Sequence, residues 1–316
     1  MVNLVVNEWV KIIRKKSTLI MIGCMILFVI GFAGILKYTE TANEQAHDTN
    51  WKQAVETQIS SDQAALGANA NARMDMFYER NIAINEYRIE NNIPPNQETH
   101  LWTFVDEAKT IISFAGLFTI IIAAGMVANE FSSGTIKLLL IRPISRMKIL
   151  LSKYITVILF GLMMIGIIYL TSSLVGMLFF GFPMTDIAHL AYQNGEVIEK
   201  NIALHLISQY LLYSIDLLMI TTMAFMISAV FRSNSFAIGI SLFLFFIGGN
   251  ATMLLATKFE WAKYILFANT NLSIYFDGTP PIESMTLPFS IIMLLIYFVI
   301  FQILAFTIFQ KRDVTA

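Results

Sequence analysis

Apolar and polar positions are segregated along this chain into long blocks. Continuous apolar runs occupy Leu19–Leu36, Thr110–Ala128, Tyr154–Phe182, Leu206–Phe231, Phe236–Thr257 and Leu287–Phe309. The shortest has 18 residues. As a helix that is about 27 Å at ~1.5 Å per residue, close to a hydrocarbon core of ~30 Å. The runs are continuous rather than alternating, so they predict six membrane-spanning helices and not barrel strands. The run 154–182 has 29 residues and has to tilt, kink or emerge into water. The first run is long for a signal-peptide core, and no small-x-small site follows Leu36, so it reads as an uncleaved anchor.

The segments between the runs carry their own patterns. On a helical wheel Val2, Val5, Val6, Trp9, Ile12 and Ile13 share one face, and Asn3, Asn7, Glu8, Lys11, Arg14 and Lys15 share the other. Trp9, Lys11, Arg14 and Lys15 therefore mark an amphipathic helix lying in the membrane interface. Residues 38–108 read as an outer domain, helical from about Asn50 to Asn92, broken near Gly67 and ended by Pro94-Pro95. Trp102 and Phe104 follow as interface anchors. Residues 186–201 read as a short outer loop. In 258–286, Phe259, Trp261, Ile265 and Phe267 lie among Lys258, Glu260 and Lys263, the pattern of an interface-lying or re-entrant element.

The fold class is an all-α integral membrane protein. Its expected layout is an interfacial helix (1–17), span one (18–37), a helical outer domain (38–108) and span two (109–128). An inner loop (129–153), span three (154–182), span four (202–231) and span five (236–257) follow. The outer segment (258–286), span six (287–310) and a tail (311–316) complete it.

Composition agrees with the pattern. Charged residues make up 14%, against roughly 25% in soluble domains, which excludes a water-soluble globular enzyme. The net charge of −1 gives no pointer to nucleic acid. The position of the charge says more. Lys11, Arg14, Lys15, Lys16, Lys137, Arg142, Arg146, Lys148, Lys153, Arg232, Lys311 and Arg312 would lie on one side, and only Lys200, Lys258 and Lys263 in the short loops of the other. Twelve against three puts both termini in the cytoplasm. The lone Cys24 lies within an apolar run and reads as a packing residue.

No Gly-Lys dipeptide occurs, so the chain has no phosphate loop of the Walker A kind. His-Glu-x-x-His, Gly-x-Ser-x-Gly and Gly-x-Gly-x-x-Gly are absent as well, and the four histidines are far apart in sequence. Neither catalysis nor a metal site is expected. Asp216 is the one charge inside a run, at a cost of about 2.5–3.5 kcal/mol. His205, Gln209 and Tyr213 fall on its side of the helix, either lining a substrate path or making structural hydrogen bonds to a neighbour. Gly248-Gly249-Asn250 would suit a helix interface or a lining.

The inner loop is the most informative stretch. It bends at Gly134, continues through the apolar Ile136 and Leu138–Ile141, and breaks at Arg142-Pro143. Ser145 is placed to cap the helix that follows. The arrangement Glu130-x-x-x-Gly134-Thr135, then Arg142-Pro143-Ile144-Ser145-Arg146 and Lys153, resembles the membrane subunits of type-2 ATP-binding-cassette exporters. The interfacial N-terminal helix, six spans and an outer element between spans five and six agree with that resemblance; the enlarged loop 37–109 departs from the simplest members.

The resemblance implies a permease subunit coupled to a separate ATPase chain. The partner would hold ATP and Mg, with no cofactor in this chain. A second permease subunit, identical or related, would complete the path in a bacterial cytoplasmic membrane. Glu130, Gly134, Thr135, Arg142, Pro143 and Arg146 would couple to the ATPase, and His205, Gln209, Tyr213, Asp216 and Asn250 would lie on the path or at a helix interface. Its enlarged loop resembles members that export, or confer resistance to, peptide antibiotics. Two other readings stand beside it: an ion-coupled secondary transporter, and a membrane sensor or scaffold with a ligand-binding outer domain.

Overall fold

The computed structural model describes residues 1–43, 50–67, 72–95, 99–135, 144–183, 188–193, 195–231 and 233–311. Arg142 and Pro143 of the loop motif lie outside the described residues. The described chain is predominantly helical, and six of its helices are long and apolar enough to cross a membrane. They correspond one for one to the apolar runs.

The N-terminal helix α1 (Val2–Ile13) precedes α2 (Lys16–Asn43). A polar pair, α3 (Trp51–Ala65) and α4 (Ala72–Glu90), follows. The pair breaks around Gly67, as its sequence indicates, and Asn92 adopts φ 54° just before the two prolines. The second span starts earlier than its apolar run. A short helix α5 (Leu101–Glu107) leads through a 3₁₀ turn (Ala108–Ile111) into α6 (Ile112–Ser132). Its start is capped by the His100 ring, which accepts from the amides of Trp102 and Thr103. Phe104 is fully buried, packed against Phe32 and Phe180. It is a core residue and not an interface anchor, because α5 docks on the end of α7 (Arg146–Phe180).

The fold is that of an all-α integral membrane protein, with one local correction after α7. Residues read as a loop form two antiparallel strands, β1 (Ala188–Gln193) and β2 (Glu196–Asn201), with Ala188 opposite Asn201 and Gln193 opposite Glu196. The Tyr87 hydroxyl of α4 donates to Glu199 Oε1 at 3.3 Å, so the hairpin and the polar helix pair lie at the same end of the bundle. The Asn201 side chain then caps α8 (Ile202–Val230). Next come α9 (Asn234–Ala256), a 3₁₀ turn (Glu260–Tyr264), α10 (Leu266–Asn269), α11 (Ile274–Asp277) and α12 (Leu287–Lys311). A buried knot ties the short turns to α12. Asn269 donates to the Lys263 and Ile265 carbonyls and accepts from Ser290, which also meets Tyr275.

Helices α6, α7 and α8 form the centre of the bundle. Ala123, Ala124 and Ala128 let α6 approach α8 closely. The Val127 and Ala128 amides donate to Ser228 Oγ at 3.1 and 3.0 Å across that contact. By contrast α2, α9 and α12 turn large apolar side chains outward, among them Leu27, Phe243, Phe246, Leu295 and Ile303. Such faces suit lipid or another chain rather than water.

A close approach fixes the outer segment on α9. A Cβ at Gly248 would collide with the ring of Phe267. Gly248→Val is expected to destabilise the protein by about 1–3 kcal/mol through overpacking. Thermal unfolding in mild detergent checks this, and Phe267→Ala in the same chain should recover part of the loss.

Candidate functional site

The site forms where the interfacial helix meets the two ends of the inner loop. In an isolated amphipathic helix Glu8 would face water with Lys11 and Arg14. Here α1 packs on α7, and Glu8 and Ile12 are both buried. Glu8 tolerates that position because Lys153, only 1% exposed, reaches it from α7. Lys153 Nζ lies 2.8 Å from Glu8 Oε2 and 2.6 Å from Glu130 Oε1 of α6. Lys11 Nζ adds a contact of 2.5 Å to Glu8 Oε1. One buried ammonium thus joins three helices, with two carboxylates around it. Both ends of the inner loop, α6 at Glu130 and α7 at Lys153, are drawn to the N-terminal helix.

Burial raises the Glu8 carboxyl, but the Lys153 charge and the hydrogen bonds from Lys11 and Lys153 outweigh it and hold it below its ordinary value of 4.5. Its folded value is the lower one, so the contribution to stability is complete above the ordinary value and is lost as pH falls through the folded value. The expected result is an unfolding temperature that declines below about pH 4.5, with a smaller decline in Glu8→Gln. Melting curves across that range check it.

The remaining motif residues surround this knot. Gly134 adopts φ 71°, a left-handed turn that favours glycine and carries the chain away from α6. Ser133, Gly134 and Thr135 are exposed, and the Ser133 and Thr135 hydroxyls lie 2.9 Å apart. Ser145 occupies the start of α7 without a side-chain cap. Arg146 Nη1 donates to the Gln310 carbonyl at 3.2 Å, in the last turn of α12 where a cation complements the helix dipole. Met147 and Lys148 are exposed beside it. Trp9 packs partly on the core, while Lys11, Arg14 and Lys15 remain exposed.

The expected polar stripe on α8 divides. His205 and Gln209 are buried and line a cavity of about 550 Å³ with Lys200, Ser208 and Phe276. The His205 ring stacks on His189 of β1 at 3.6 Å. Tyr213 packs in the apolar core instead. Asp216 faces the segment between α9 and α12, where Thr270 approaches its carboxyl, and its Oδ1 is shielded with no hydrogen-bond partner among the described residues. Asn250 sits exposed on α9 and donates to its own helix at the Phe246 carbonyl. The four residues of the α8 stripe thus meet different neighbours, with His205 and Gln209 sharing a cavity, and Asn250 lies apart from them on α9.

Residues 70–315 match a family described as a protein of unknown function, DUF2705. The Bacillus subtilis (strain 168) protein named uncharacterized protein YhcI is 48% identical over 316 residues, covering 99% of each chain. A second protein of that organism, named uncharacterized membrane protein YdbK, is 35% identical over 199 residues, which is 62% of this chain and 76% of its own. The printed name of that relative and the six apolar helices agree on a multi-pass membrane protein.

Proposed function

This chain belongs to the DUF2705 family; from the geometry at the two described ends of the inner loop we propose that it is the permease subunit of an ATP-driven exporter. The observation that carries the reading is the ion-paired knot of Glu8, Lys153 and Glu130. A subunit without its own phosphate loop needs a rigid element through which a partner's motion reaches several spans. Lys153 ties the two ends of the inner loop to the interfacial helix, so a push on the loop moves α1, α6 and α7 together. The exposed Thr135, Met147 and Lys148 are the natural contacts for an ATPase chain, which would bring ATP and Mg.

In this account both termini are cytoplasmic and the membrane is the bacterial cytoplasmic one. A second permease covers some of the outward apolar side chains of α2 and α9. The segment between α9 and α12 is the re-entrant element that closes the path from outside. The exported molecule is amphipathic, a peptide antibiotic or lipid-like compound, with a role in resistance. Reconstitution of this chain with its ATPase in vesicles tests the proposal, with ATP-dependent export as the expected result. Export driven by an ion gradient with no ATPase present would instead favour secondary transport.

A second reading, a membrane sensor, draws on the bond between Tyr87 and Glu199 that joins the polar helices to the hairpin. Deletion of 52–92 separates the two. Loss of signalling with unchanged export supports the sensor, and loss of export supports the transporter.

A further inference from the structure

Beneath the ion-paired knot lies a partly open cavity of about 420 Å³, walled by α1, α2, α6 and α9. That size falls within the roughly 300–1,000 Å³ of small-ligand pockets. Its lining has three chemical parts. Ile12, Met21, Ile122 and Ile238 supply apolar wall. Glu130 Oε2 and Asn234 Oδ1 are acceptors with no hydrogen-bond partner among the described residues. Lys15 stands exposed at the mouth and makes no ion pair among the described residues.

The lining carries Glu8 and Glu130 against Lys11, Lys15 and Lys153, which leaves one net positive charge. Ser17, in the first turn of the long helix α2, brings the positive end of that helix to the same space. A complementary ligand has one negative charge, donors for the two open acceptors, and apolar chains for the wall. The cavity sits where an amphipathic helix meets a membrane span, at the level of lipid headgroups.

We propose that this cavity binds an anionic phospholipid whose headgroup carries hydroxyl donors, of the phosphatidylglycerol type. The phosphodiester faces Lys15 and the start of α2, the glycerol hydroxyls donate to Glu130 Oε2 and Asn234 Oδ1, and an acyl chain follows Ile122 and Ile238. Phosphatidylcholine offers no donor for the floor, and phosphatidylethanolamine offers donors but no net charge. The bound lipid completes the coordination of Glu130 without displacing Lys153. The inference stands independently of the transport reading.

The full-length protein, stripped of lipid in detergent and reloaded from phosphatidylglycerol, phosphatidylethanolamine or phosphatidylcholine, tests this by native mass spectrometry. Phosphatidylglycerol should be retained at least tenfold over phosphatidylcholine, and Lys15→Glu should reduce that retention about tenfold. Ile122→Trp, which fills the cavity, should abolish the preference. Lys15 is exposed, so its variant decides the question even where Ile122→Trp folds poorly. Equal retention of the three lipids, or retention of phosphatidylglycerol unchanged by Lys15→Glu, overturns the proposal. Displacement by glycerol 3-phosphate at equal concentration assigns the site to a soluble phosphate and overturns it as a lipid site.

Discussion

Lys153→Met is expected to destabilise the protein by about 3–5 kcal/mol, the range for removing one partner from a buried ion pair. The side chain is 1% exposed, and it is the charge that lets the buried Glu8 and the partly buried Glu130 sit side by side. Methionine fills similar volume but leaves two carboxylates facing each other across an apolar contact. Glu130 Oε2 already lacks a partner among the described residues, so the variant adds to an existing deficit. The loss should appear as a lower unfolding temperature in mild detergent. Neutralising the carboxylates in the same chain, with Glu8→Gln and Glu130→Gln, should recover most of it. If the triple variant is as unstable as Lys153→Met, packing and not charge holds α1 on α7.

Reversing the charge of the loop, with Arg142→Glu and Lys148→Glu, is expected to cut transport at least tenfold while the partner ATPase still hydrolyses ATP. Lys148 is exposed at the start of α7 and its side chain makes no hydrogen bond or ion pair among the described residues, so Lys148→Glu by itself should leave stability unchanged. Arg146 is a poorer probe, because its guanidinium also holds the end of α12 at Gln310. Transport and hydrolysis measured on the same vesicles separate the two effects. Normal transport in the double variant would remove the loop from the coupling path.

The spans were legible because burial in lipid demands length and continuous apolarity, and both can be read without tertiary information. The breaks of the polar pair were legible for a similar local reason, since Gly67 lies in a polar stretch where it is free to take its positive φ of 74° and Pro94-Pro95 cannot continue a helix. The hairpin was missed although Asn194-Gly195 between two short runs is a strong turn signal. Gly195 takes φ 88° there. The knot was missed for a different reason. Glu8 fits the polar side of α1 on a helical wheel, and Lys153 counts as one more inner positive charge; only packing shows that they meet across 145 positions. A lysine continuous with an apolar run was the available clue, because such a charge needs a partner. For the stripe on α8 helical periodicity gives the shared side, while the neighbours that each residue meets come from β1, the turn after α10 and the core, which periodicity does not show.

The most direct measurement is gentle purification of the full-length protein followed by identification of the chains bound to it. The account predicts an ATPase containing Gly-x-x-x-x-Gly-Lys-Ser/Thr, present in amounts comparable to this chain. A chain that purifies alone under every mild condition, with its ion-paired knot intact, would contradict it.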